Sequence, residues 1–314
     1  MNNPLVSIVF SAYKTKRYPY ILKAINTISK QTYKNFETII VIDGNEELYS
    51  MVSKLNSQND IKLESDIKLK ILNNEKRGGP SIARNMGISE SKGDIIVITD
   101  DDVFVSPNWL EKIVRNFEHD DILMVGGKIL PDYEDGAHTL PEEILWIVGC
   151  TYRGHPTERQ KVRNVISANM AFRKKLFDTI TFEPSYEGDW RMSDTLIGIK
   201  TNEYRPGSVI YDPEPIVYHN VPKERTTLYY FAKRSYTEGF LKVFLRTKST
   251  DQNMYNYESN YLATILRSTI RYVLTFHFRY ALANTVVLAS VSTGFLIGSI
   301  YKKKGELATM LKNI

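Results

Sequence analysis

Asp100, Asp101 and Asp102 stand side by side directly after the apolar run Ile95-Ile96-Val97-Ile98-Thr99. Adjacent carboxylates repel one another, and a chain that sets three where a buried strand ends has a use for a cation there. Asp100 and Asp102 form an Asp-x-Asp pair whose hard oxygens suit Mg²⁺ or Mn²⁺, an ion that can also hold two phosphates of a diphosphate. That chemistry points to an enzyme acting on a nucleotide-activated substrate; the competing reading is an acidic turn in solvent. A second acid, Asp43, closes another apolar run in Val41-Ile42-Asp43-Gly44. It could accept from a base N–H or a ribose hydroxyl, or cap a helix beginning near Glu46. Arg84 lies on a helix opened by Gly78-Gly79-Pro80, where it could reach a phosphate with two donors or make a surface ion pair. Neither a Gly-x-Gly-x-x-Gly fingerprint nor a P-loop is present.

The elements that must position these groups alternate. Leu5–Phe10 is an apolar run without alternation, the pattern of a strand buried on both faces. A helix follows with Ile21, Leu22, Ile25 and Ile28 at helical spacing. Strands are predicted at Phe36–Ile42, Ile67–Leu72, Ile95–Thr99 and Ile122–Val125, with helices from Glu46 to about Ser57, from Pro80 to about Ser91, and through Trp109, Leu110, Ile113, Val114 and Phe117. Ser106 and Pro107 form the expected cap and first turn of the last of these. This order implies an α/β fold with a doubly wound, mostly parallel sheet and helices on both faces. Ligands of such sheets sit beyond the carboxyl ends of the strands, where Asp43 and Asp100 to Asp102 both fall. The middle section is less regular; a strand is predicted over Asn164–Phe172.

The 314 residues allow one large α/β domain with appendages, or two domains. A single cysteine, Cys150, excludes an internal disulfide framework and fits a reducing compartment. The N-terminus reads as a strand, not as a signal peptide. The net charge of +5 is unevenly placed: residues 223–314 carry 14 Lys/Arg against 5 Asp/Glu. By charge alone that third faces nucleic acid or a membrane surface. Its pattern is helical over Thr226–Arg246 and Leu262–Tyr280. Ala281–Tyr301 then runs without a charge before Lys302-Lys303-Lys304, which meets the ~20-residue length of a membrane span. Basic residues on both flanks do not favour a simple single span, and an interfacial or re-entrant helix pair suits them better. A helical hairpin covering a core or a dimer interface is the alternative.

Taken together, Val6-Ser7-Ile8-Val9-Phe10-Ser11-Ala12-Tyr13, the strand ending at Asp43, Ala83-Arg84-Asn85-Met86-Gly87, Gly93-Asp94 and the aspartate triplet resemble the family 2 glycosyltransferases of GT-A fold. The resemblance covers about residues 4 to 240. Within the family the chain is similar to archaeal enzymes that extend dolichyl phosphate-linked sugars, the glucosyl-dolichyl phosphate glucuronosyltransferase group. Val41 to Glu46, Leu140-Pro141-Glu142-Glu143 through Gly149, and Arg163 to Asn169 carry that likeness.

The resemblance implies an inverting transfer from a UDP-sugar, carrying glucuronic acid or another hexose, to a lipid-linked saccharide in protein N-glycosylation or surface glycan assembly. It implies Mn²⁺ or Mg²⁺ bound through Asp102, Asp100 and His219, and donor contacts from Asp43, Arg84 and Asp100. The general base of these enzymes lies in a Glu-Asp-x-x-Leu-type segment. Its counterpart is Ser193-Asp194-Thr195-Leu196-Ile197, which makes Asp194 the base and leaves Glu187 and Asp189 as competitors because Ser193 replaces the usual Glu. Arg225 and Arg234, with Lys223 and Tyr229-Tyr230-Phe231, would hold the acceptor's lipid phosphate, or form a solvated helix face.

The expected organisation is a catalytic domain over 1–222, a basic aromatic extension over 223–258 and membrane-associated helices over 259–314, at the cytoplasmic face of the cell membrane and with no nucleic-acid partner. Three alternatives stand beside this reading. One is a polysaccharide or cell-wall glycosyltransferase with a non-dolichol acceptor. Another is a nucleotidyltransferase, which would want glycine in Ser11-Ala12-Tyr13-Lys14-Thr15. The last is a membrane-surface scaffold, which would need no acids at two strand ends.

Overall fold

The computed structural model describes residues 3–56, 68–183, 192–248 and 254–303. It divides into two compact units: Met1–Leu130 with Pro156–His219, and Pro131–His155 with Asn220–Ile314.

In the first unit the unbroken apolar runs become central strands. β1 (Val6–Ala12), β2 (Phe36–Asp43), β3 (Lys68–Asn74) and β4 (Ile95–Ile98) pair in parallel in the order β3-β2-β1-β4. Ile8, Val9, Phe10, Ile39 to Ile42 and Ile95 to Ile98 are all completely buried, as strands covered on both faces require. The crossovers are α1 (Tyr18–Ser29), α2 (Glu46–Ser53) and α3 (Pro80–Ser89). α1 buries Ile21, Ala24, Ile25 and Ile28 against the sheet. α3 begins where Gly79 adopts φ +84°, a left-handed conformation that a side chain would strain, with Pro80 in its first turn.

Beyond β4 the sheet turns antiparallel. β5 (Val103–Val105) and α4 (Trp109–Asn116) lead into β6 (Met124–Tyr133), which runs well past the predicted Val125. β7 (Gln160–Lys161), β8 (Met170–Arg173), α5 (Ser193–Tyr204) and β9 (Val209–Val221) follow, and the order continues β4-β8-β6-β9-β5 with β7 on β9.

Two local expectations change. Asn164–Phe172 is not one strand: Ser167–Asn169 forms a 3₁₀ turn before β8. The reason is Asn169, whose Oδ1 accepts from Trp109 Nε1 (2.9 Å) while its Nδ2 donates to the carbonyls of Lys128 (3.1 Å) and Pro215 (2.9 Å). A buried amide that satisfies three groups on separate elements outweighs local strand propensity. Ser106 is not the cap of α4. Its Oγ makes no hydrogen bond among the described residues, its N–H donates to the Ile216 carbonyl just past the β5–β9 ladder (3.2 Å), and Asn108 precedes the helix without a side-chain cap bond.

The second unit is built around α6 (Leu228–Lys248), α7 (Met254–Leu274) and α8 (Phe278–Lys303). Gly239 and Gly294 bring the backbones of α6 and α8 together. A Cβ on Gly239 would lie 2.0 Å from the Val291 carbonyl oxygen, and one on Gly294 2.0 Å from that of Tyr236. Any side chain at either position would force the helices apart. α8 contains the uncharged run, with a mean hydropathy of 1.6 over an 18-residue window of which a third is buried; among the described residues it is the one helix long and apolar enough to cross a membrane.

Candidate active site

The strand registers explain why the acids meet. Ala12 of β1 lies opposite Ile42, and Val9 opposite Ile98, so β2 and β4 deliver Asp43 and Thr99-Asp100 to the same carboxyl edge on either side of β1. Val103 N–H donates to the Asp100 carbonyl (3.3 Å) and closes the triplet into a turn. β5 then pairs antiparallel with β9, setting Val103 opposite His219. That pairing carries His219 Nε2 to 3.5 Å from Asp102 Oδ1.

Asp100, Asp102 and His219 each offer a ligand atom, all within 4.8 Å of one another. Two carboxylates and an imidazole, with Asp100 partly exposed and the other two buried, are a donor set that could hold a divalent ion.

Sequence reasoning passed over Arg17. It ends a 3₁₀ turn (Thr15–Arg17) just before α1, and its Nη1 contacts Asp101 Oδ1 and lies 2.9 Å from Asp102 Oδ2. Nothing local in Lys14-Thr15-Lys16-Arg17 separates this side chain from its basic neighbours. Burial by itself would lower the Arg17 pKa, but the triplet's carboxylates outweigh that and hold the guanidinium charged. Burial pushes the Asp101 carboxyl up, to about 7, against the pull of Arg17.

Arg84 is buried on α3 and joins two parts of the site. Its Nη2 donates to Asp100 Oδ1 and its Nη1 to Ser193 Oγ, both at 3.3 Å. Ser193 opens α5, and Asp194 follows in the first turn, half-buried, with Oδ1 accepting from Thr195 N–H (2.8 Å). The Asp194 segment is therefore tied through one guanidinium to the acid triplet. The competitors Glu187 and Asp189 lie outside the described residues.

Asp43 is buried and already engaged. Its Oδ1 accepts from Gly78 N–H (2.9 Å) and Asn74 Nδ2 (2.7 Å), and its Oδ2 from Gly79 N–H (2.9 Å). It shapes the turn that launches α3 and retains lone-pair capacity on Oδ2. The alternative of capping α2 falls to Asn45, whose Oδ1 accepts from Leu48 N–H (2.9 Å). Beside it the Tyr13 ring carries the Arg77 guanidinium 4.2 Å from its centroid and Lys14 Nζ at 4.9 Å. Arg225 and Arg234 belong to the second unit. Arg225 sits in a 3₁₀ turn (Lys223–Thr226), and Arg234 pairs with Glu238 (2.8 Å) above the Trp146 ring.

The sheet has the GT-A glycosyltransferase fold, and its carboxyl edge is lined with acids and carries a carboxylate–imidazole group able to hold a cation. The signature of glycosyl transferase family 2 matches residues 7–181, and the chain belongs to that family. It is 30% identical over 264 residues, 80% of this chain and 81% of the relative, to the glucosyl-dolichyl phosphate glucuronosyltransferase of Haloferax volcanii. It is 28% identical over 180 residues to glycosyltransferase GlyG of Streptococcus pneumoniae, covering 57% of this chain and 56% of that one. Among solved structures, the mannosyltransferase PcManGT of Pyrobaculum calidifontis in complex with GDP-Man and Mn²⁺ superposes with a TM-score of 0.61 at 16% identity, over 96% of this chain and 87% of that one.

Proposed function

We propose that this glycosyltransferase moves a hexose, glucuronic acid being the leading candidate, from UDP to a saccharide borne on a polyprenyl or dolichyl phosphate, with inversion at the anomeric carbon. The observation that carries the reading is the Asp100–Asp102–His219 group joined through Arg84 to the first turn of α5. The Haloferax relative supports the acceptor class.

Asp100, Asp102 and His219 would hold Mn²⁺ or Mg²⁺, which when bound neutralises the departing diphosphate. Arg84 adds a second positive charge on that side and keeps Asp100 in place. Asp43 orders the Gly78-Gly79 turn and offers its free lone pair to the nucleoside. Asp194 takes the proton from the acceptor hydroxyl as that oxygen attacks the anomeric carbon; the sugar's bond to the diphosphate breaks on the opposite side. Arg225 and Arg234 would meet the acceptor's lipid phosphate. Purified protein with Mn²⁺ and a polyprenyl-phosphate sugar, offered a panel of UDP- and GDP-sugars, is expected to release UDP from a UDP-hexose. Release from GDP-mannose alone would overturn the donor assignment, and turnover only with a lipid-free acceptor the acceptor assignment.

The same reading places the second unit on the cytoplasmic surface of the membrane, supported by α7 and the turn after it. α7 buries Ser268 and leaves Leu266, Ile270 and Leu274 in solvent, Leu274 being 72% exposed. The helix ends with His277 N–H donating to the Tyr272 carbonyl (2.8 Å) and Phe276 N–H to that of Val273 (3.2 Å). This is a helix stop that normally takes glycine at the left-handed position. Here Phe276 occupies it at φ +59° and is 79% exposed. A side chain in that conformation costs about 1 kcal/mol, and the Phe276 ring recovers little of it while exposed to water. Lipid would return that cost, with the exposed Arg267, Arg271 and Arg279 facing anionic headgroups. The full chain is expected to float with anionic vesicles and the Phe276→Asp/Phe278→Asp variant to stay in the pellet fraction. Equal flotation of the two would remove the turn from the membrane contact.

A further inference from the structure

Arg17 lies where the cation chemistry of the site would be decided. Its Nη1 touches Asp101 Oδ1 and stands 2.9 Å from Asp102 Oδ2, while the other oxygen of Asp102 faces His219 Nε2 at 3.5 Å. One carboxylate is thus shared between a permanent cation and the ligand group. Arg84 holds Asp100 in the same manner at 3.3 Å. Among the described residues two guanidiniums face the triplet, so part of the charge that makes it look like a strong cation trap in sequence is already compensated.

We propose that Arg17 weakens the site for a divalent ion on its own, so that metal is retained only together with a nucleoside diphosphate. The physics is Coulombic. A dication on the Oδ1 side of Asp102 lies within several ångströms of the Arg17 charge, and repulsion at that range is worth about tenfold in affinity even when strongly screened. A bound diphosphate brings negative charge of its own, which offsets the guanidinium and restores the attraction. Arg17 can then turn part of its donor fork toward a phosphate oxygen while still holding Asp101. The consequence is coupling: nucleotide tightens metal and metal tightens nucleotide by the same factor. Arg17 acts on the transfer through the charge it sets beside the ligand group and, with nucleotide bound, through a phosphate oxygen.

The inference rests on Asp100, Asp102 and His219 being a metal site. The test is a Mn²⁺ titration of the full chain followed by the electron paramagnetic resonance of free Mn²⁺, with and without UDP or GDP, needing no turnover. Wild type is expected to bind Mn²⁺ weakly and to gain about tenfold or more with nucleotide. Arg17→Gln keeps a donor toward Asp101 but removes the charge. It is expected to bind Mn²⁺ alone about tenfold more tightly and to lose most of the coupling. Arg17→Lys keeps the charge and is expected to stay near wild type. Were Arg17 only a structural clamp, both variants would bind Mn²⁺ more weakly; that outcome, or unchanged affinity in Arg17→Gln, overturns the proposal. Wild type that binds no Mn²⁺ even with nucleotide overturns the metal-site reading itself.

Discussion

Asp102→Ala is expected to abolish sugar transfer while leaving the sheet folded. Asp102 is the hub of the site: buried, with one oxygen beside Arg17 and the other facing His219. On the proposed reading its removal takes a donor from the candidate Asp100–Asp102–His219 group and leaves a carboxylate and an imidazole, too few to hold an ion against water. Charge stabilisation of a departing diphosphate by a metal is worth several kcal/mol, so the loss in kcat should be about a thousandfold or greater. The fold should survive because Arg17 still has Asp101, and the surrounding strands are held by their apolar faces. The measurements are nucleotide release at saturating Mn²⁺ and far-UV circular dichroism. Undiminished turnover in a folded variant would sink the assignment of Asp102.

Asp194→Asn should lower kcat by about 10²- to 10⁴-fold, the usual worth of a general base, with nucleotide binding retained. The amide is the same size and can still accept the Thr195 N–H bond through its oxygen, so the first turn of α5 should stand. What it cannot do is take a proton from the acceptor hydroxyl. Steady-state transfer together with a UDP-binding isotherm separates the two functions. Full activity would move the base to Glu187 or Asp189. Loss of UDP binding would mean that Asp194 supports the donor pocket, reached through Ser193 and Arg84.

The two sides of the site differ in how readable they were. Asp43 and the triplet were legible because a parallel strand buried on both faces writes itself as an unbroken apolar run, and the residue after that run must emerge at the carboxyl edge. Ile39 to Ile42 and Ile95 to Ile98 do this without help from distant residues. The antiparallel half left weaker marks. The strand predicted over Asn164–Phe172 shortened because Asn169 spends its amide on Trp109, Lys128 and Pro215, none of them near it in sequence. Ser106 looked like a cap but instead gives its N–H to the Ile216 carbonyl, one residue beyond the β5–β9 ladder. His219 entered through family resemblance, since nothing in Val217-Tyr218-His219 tells of Asp102.

What the sequence by itself determined was the parallel core and the edge at which the acids collect; the family came through the resemblance of particular segments. The core and the edge follow from local patterning: apolar continuity, glycine and proline at the start of α3, and acids where the apolar runs end. Tertiary structure alone decided which charges meet. The β5–β9 register put His219 against Asp102, and the path from β1 into α1 laid Arg17 on Asp101 and Asp102. α3 set Arg84 between Asp100 and Ser193. Side-chain electrostatics depend on distances of a few ångströms, and those distances are set by the pairing of segments far apart in the chain, which periodicity does not encode.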